Sequence, residues 1–102
     1  MVWINPQKRS PLKEFHSALY SYIRANNKRY SDRREQVLKV LYTQSVPLSI
    51  DTILKRLGEE HPEVGYATVA RHIHFFDRLG WLHVSKRKYL LKSDAVIEPS
   101  AQ

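Results

Sequence analysis

The chain has 102 residues, 42% apolar and 26% charged, which suits one domain with a single modest core. It has no Cys, no long apolar run and no signal-peptide core, so disulfides, thiolate zinc sites, thiol catalysis and a membrane span are excluded and a cytoplasmic protein is expected. The net charge of +7 is segregated: residues 1–45 carry +6, residues 46–70 carry −2, residues 71–92 carry +5 and the rest −2.

Residues 1–10 read as an N-terminal arm. Pro11 suits the first turn of a helix with Ser10 as its cap, and Leu12, Phe15, Leu19, Tyr22 and Ile23 recur at spacings of three and four up to Asn26-Asn27. A second helix is expected from Asp32, whose spacing to Glu35 matches a capping box, with Ser31 as the rival cap. Its stripe is Val37, Leu38, Val40 and Leu41, and it stops near Ser45 because Pro47 disfavours helix at Val46. Ser49 then caps a third helix carrying Ile50, Ile53, Leu54 and Leu57, ended by Gly58 or His61-Pro62.

A fourth helix begins at Gly65 or Tyr66. Val69, Ile73, Phe76 and Leu79 form its inner stripe, and Gly80 sits where a C-terminal glycine belongs. Two β-prone runs, Trp81 to Val84 and Tyr89 to Leu91, flank the cationic hairpin turn Ser85-Lys86-Arg87-Lys88. This order predicts an α+β, mainly helical fold: a winged helix-turn-helix over residues 11–92, with an extra N-terminal helix, a short two-stranded wing and a flexible tail at 93–102.

Residues advance about 100° each around a helix, so with the stripe inward the fourth helix presents Ala67, Ala70, Arg71, His74 and Arg78. Small side chains at the leading turn let it approach a major-groove floor, and Arg71 is long enough for guanine or phosphate. Tyr66 and Thr68 flank the N-terminal turn, where free N–H groups favour a phosphate oxygen. Phe75 and Phe76 read as core.

The run Arg29-Tyr30-Ser31-Asp32-Arg33-Arg34-Glu35-Gln36-Val37-Leu38-Lys39-Val40-Leu41-Tyr42 resembles the opening of the ferric uptake regulator family, in which a basic residue precedes a Thr/Ser and an Arg-led helix. Leu48-Ser49, Ala67-Thr68-Val69-Ala70-Arg71 and Leu79-Gly80 resemble that family's second half-motif and its Ala-Thr-Val-Tyr-Arg signature, over about Leu12 to Lys92. The resemblance implies a transcriptional regulator on double-stranded DNA, with the 66–79 helix in the major groove and Arg29 in the minor groove. It further implies Ser31 among the DNA-contacting residues, Arg34 on phosphate at the opening of the second helix, where a surface ion pair is the alternative, and Lys86, Arg87 and Lys88 on phosphate from the wing. Only the N-terminal DNA-binding half is covered, so the family's C-terminal metal-binding dimerisation domain is expected to be absent. Ala70 stands where the signature has Tyr, and the wing is shorter than the family's.

His72 and His74 lie about 200° apart on a helix and cannot share one ion. His16, His61 and His83 are scattered singly, so no metal and no cofactor is expected. Gly-rich phosphate loops, paired carboxylates and nucleophile motifs are missing, which argues against an enzyme. A homodimer is expected to form through the first helix, where Tyr20 and Tyr22 widen the apolar face, or through the Met1-Val2-Trp3-Ile4 arm. The alternative function is a winged-helix protein-interaction module with little specific DNA binding. RNA ranks lower, for want of a sheet platform on which bases stack.

Overall fold

A computed structural model of the protein describes residues 10–93. The proposed Met1-to-Ile4 contact surface and all but the first residue of the proposed tail lie outside these residues. The element order is α1 (Leu12–Ala25), α2 (Asp32–Tyr42), β1 (Leu48–Ser49), α3 (Ile50–Gly58), α4 (Tyr66–Arg78), β2 (Leu82–Ser85) and β3 (Lys88–Leu91). The strands form one antiparallel sheet in the order β1-β3-β2. The expected wing is therefore three-stranded. The third member is β1, two residues long and too short to show alternation in sequence, which pairs Leu48 with Tyr89 and Ser49 with Lys88.

Local chemistry sets most boundaries. Pro11 is the cap residue of α1 rather than its first turn, and no side chain caps that helix. Ser10 is used differently: its N–H donates to the Ser93 carbonyl at 2.9 Å, joining the two ends of the domain. At the far end of α1, Asn27 adopts a φ of 52°, and Asn27 and Lys28 donate to the carbonyls of Arg24 and Ile23. That is the bonding of a Schellman ending, in which Asn can occupy the left-handed position.

The α2 cap is Ser31, whose hydroxyl accepts from the Arg34 N–H at 3.2 Å, while Asp32 is already helical. Glu35 is thus one residue too far along to close a capping box. Its carboxylate instead accepts from the Tyr30 hydroxyl and lies 3.9 Å from His16 Nδ1, bridging α1 and α2. Ser49 caps α3 through the Thr52 N–H at 3.2 Å, as expected.

The core is contiguous. Phe15, Leu19 and Ile23 of α1, Val37, Leu38 and Leu41 of α2, Ile50, Ile53 and Leu57 of α3, and Val69, Ile73 and Phe76 of α4 are all buried. Gly80, with φ 79°, ends α4 in a second Schellman pattern: its N–H donates to Asp77 and that of Trp81 to Phe76. The turn delivers Trp81 onto Phe76 as a stacked pair 5.6 Å apart, with Phe15 of α1 edge-on to Trp81 at 5.5 Å. The Trp81 carbonyl accepts from Lys92 at 2.8 Å, so helix end, wing base and α1 meet at one fully buried indole.

Candidate nucleic-acid interface

The α4 stripe turns inward as the periodicity predicts, with His72 and Phe75 buried beside it. Tyr66, Ala67, Arg71, His74, Asp77 and Arg78 are exposed, and Ala70 is half-buried. At about 100° per residue, Tyr66, Ala70 and Asp77 lie along one edge of this outer face and Arg71 and Arg78 along the other. Thr68 is half-buried on the inner side, flanking the first turn rather than leading it.

The sheet brings the wing to the first of those edges. Because β1 is continuous with the start of α3 and pairs with β3, the wing is held against the α3–α4 pair rather than projecting freely. The hairpin is tighter than its sequence suggests. Ser85 pairs with Lys88, leaving a two-residue loop in which Lys86 and Arg87 have φ of 51° and 61°. Positive φ at both central residues is the requirement of a type I′ turn, whose twist matches that of the strands.

A groove of about 480 Å³ separates wing from helix; Tyr66, Ala70 and His74 line one wall, and Lys86, Arg87, Lys88 and Tyr89 another. Six residues proposed from sequence are thus brought to one place. Its third wall, Ser49, Ile50 and Asp51 from the first turn of α3, was not among the sequence candidates. The Ser49 cap was the available signal, since it fixes where that turn starts. Among the described residues, the ion pairs are His16–Glu35, Arg33–Glu63 and His61–Glu63, so Arg71, Arg78, Lys86, Arg87 and Lys88 have no carboxylate partner.

Arg29, Ser31 and Arg34 lie on the other flank. The Arg34 guanidinium sits 4.1 Å from the centre of the Phe75 ring, and its Nη1 donates to the Arg29 carbonyl at 3.2 Å. Burial lowers its affinity for a proton, and its Nε is buried without a hydrogen-bond partner. Arg34 is therefore a strut between α2 and α4, with its guanidinium held on the Phe75 ring and the Arg29 carbonyl. The strut anchors the backbone of Arg29, whose side chain is exposed, toward the Phe75 side of α4. The Ser31 hydroxyl is engaged as the α2 cap.

Neighbouring charges are neutralised or repelled. Arg33 donates to Glu63 at 2.8 Å and to Gln36 at 2.7 Å. A backbone hydrogen bond and then Arg33 hold the Glu63 carboxyl below its usual range. His72, 7% exposed, has its proton affinity pushed down to about 4 by burial first and by Arg34, Arg71 and Arg33 next. It is neutral at pH 7, and its Nδ1 has no hydrogen-bond partner.

The α1 surface proposed for self-association is partly consumed by the fold. Tyr22 packs edge-on against Phe75 at 5.8 Å, and Tyr20 stacks on Tyr30 at 5.6 Å with the rings 2° from parallel. Among the described residues no three His, Asp or Glu side chains converge as a metal site, and no helix is long and apolar enough to cross a membrane.

A family model, the ferric uptake regulator family, matches residues 25–93. Solved structures similar to the chain include the ferric uptake regulator Fur of Helicobacter pylori, described with three functional metal-binding sites: TM-score 0.79 and 23% identity, covering 84% of this chain and 61% of that one. A zinc uptake regulator complexed with zinc and DNA matches with TM-score 0.74 and 24% identity, covering 85% of this chain and 59% of that one. The chain thus spans about three-fifths of the length of these structures. No curated protein gave a significant sequence match.

Proposed function

The chain belongs to the ferric uptake regulator family, and from that premise we propose that it is a transcriptional regulator that binds duplex DNA and has no enzymatic activity. The outer face of α4 enters the major groove, Lys86, Arg87 and Lys88 grip phosphates from one side, and Arg29 reaches the minor groove from the other. The observation that carries this reading is the groove in which three α4 side chains face a turn of three unpaired cations. Cations without carboxylate partners can exchange counterions for phosphate at little cost, and phosphate contacts fix the register in which a helix meets base edges. The zinc uptake regulator of the same fold in complex with DNA supports the choice of partner.

A titration of the whole chain against duplex pools at several salt concentrations tests the proposal. With about six phosphates neutralised, the logarithm of the binding constant falls against log salt with a slope of roughly −5. A salt-independent response, or no affinity for duplex at 50 mM salt, overturns it in favour of a fold retained for protein contacts. On this reading Arg71→Ala relaxes sequence preference, whereas Lys86→Ala weakens all sequences alike.

A further inference from the structure

The leading turn of α4 is the part of a recognition helix that meets base edges, yet in this chain the outward positions ahead of Arg71 carry no hydrogen-bonding group beyond the Tyr66 hydroxyl. Tyr66, Ala67 and Ala70 occupy it together, three side chains contiguous within about 100° of helix surface. Tyr66 is 51% exposed, one of the few large apolar side chains left in water, and no group among the described residues bonds its hydroxyl. The longer polar side chains stand behind this patch or beside it: His74 and Arg71 further along the helix, and the wing cations across the groove. The helix therefore leads with an apolar patch framed by cations.

Resting on the duplex-binding reading, we propose that this patch reads the C5 methyl groups of thymine, with the Tyr66 ring as the reaching element and Ala67 and Ala70 as the floor that admits the methyl. The argument is one of chemical matching. The edges of major-groove base pairs offer hydrogen-bond donors and acceptors everywhere and one apolar feature, the thymine methyl. An apolar patch pressed against any other edge strips water from polar atoms without replacing their hydrogen bonds, which is penalised. Against a thymine methyl it buries carbon on carbon. The small side chains at Ala67 and Ala70 matter as much as the ring, since a larger residue at either position would lift the helix off the groove. Tyr66 has a different assignment here from its neighbours on the wing. It discriminates between sequences, whereas Lys86, Arg87 and Lys88 hold all sequences alike.

The test uses duplexes selected by the intact chain from a random pool, resynthesised with uracil for thymine at one position at a time. Uracil pairs as thymine does and lacks only the methyl. Within the footprint, uracil at one or two positions should weaken binding roughly fourfold each, the worth of one buried carbon, while uracil outside it has no effect. Tyr66→Ala should bind thymine and uracil duplexes equally. Tyr66→Phe should keep the discrimination, because the ring and not the hydroxyl makes the contact. Equal binding of both duplex types by the unchanged chain overturns the proposal and leaves duplex binding intact. Loss of discrimination in Tyr66→Phe overturns it too, assigning the hydroxyl to phosphate or a polar base edge. Failure to select any duplex removes the proposal together with the reading beneath it.

Discussion

The Trp81 junction and the groove beside the wing are only a few residues apart in sequence, yet they handle interactions in opposite ways. At the junction the carbon surfaces are matched, indole on Phe76 with Phe15 edge-on, and the flanking main-chain groups are hydrogen-bonded through Gly80 and Lys92; among the described residues only the buried indole N–H there goes without a partner. At the groove little is matched, with cations lacking carboxylates, an exposed tyrosine and two non-glycine residues in the left-handed region. The first region supplies the stability that lets the second remain unsatisfied. Contacts satisfied inside the molecule are less available to a partner, and Arg34, held on the Phe75 ring, belongs to the first kind of region while the wing cations belong to the second.

The comparison breaks most readily at Trp81. Trp81→Ala should remove about 3–5 kcal/mol, the range for emptying a large aromatic site, measured as a lower denaturant midpoint. For a domain of this size that is a large share of the total stability. A loss under 1 kcal/mol would show that the junction is not where the stability resides.

His72 probes the boundary between the two regions, since it is buried yet feels Arg33, Arg34 and Arg71. Its affinity for a proton is lower folded than unfolded, so the unfolded chain takes up the proton first. Stability should therefore be fully present above pH 6.5 and decline as pH falls toward about 4. The expected loss is on the order of 2–3 kcal/mol across that window, followed by thermal denaturation at stepped pH. His72→Leu should lack this part of the slope, because leucine binds no proton in either state, and the fold should tolerate the change since the buried Nδ1 forfeits no hydrogen bond. An unchanged slope would assign the acid sensitivity to carboxylates instead.

The smallest expected effect sharpens the contrast most. Replacing Lys86-Arg87 with Asn-Gly, residues suited to positive φ at both turn positions, should raise stability by about 1 kcal/mol. Duplex affinity should fall in the same variant, with a salt slope shallower by about 2. A variant both less stable and equally tight would show that the turn serves the fold alone.

Much of this architecture was legible in sequence. The inward stripe and Gly80 of α4 were readable because helical periodicity and a left-handed stop are local properties. What escaped was non-local or lacked its usual signature. Two-residue β1 exists only through β3, so no run of its own announces it. The two-residue turn has no local mark, because Lys-Arg carries no Asn or Gly to signal positive φ. Nothing local to the start of α2 shows that Phe75 of α4 will lie against Arg34, and Asp51 enters the groove only when α3 packs against the wing.

The Ser10-to-Ser93 hydrogen bond has a topological consequence. With those backbone atoms 2.9 Å apart, the folded unit is nearly a closed loop. A linker of a few residues could join its ends, and new termini could be opened elsewhere, as circular permutation requires. By the same geometry, the unit can be inserted whole into a surface turn of a host protein with both host strands re-entering side by side, carrying α4 and the wing outward as one rigid graft.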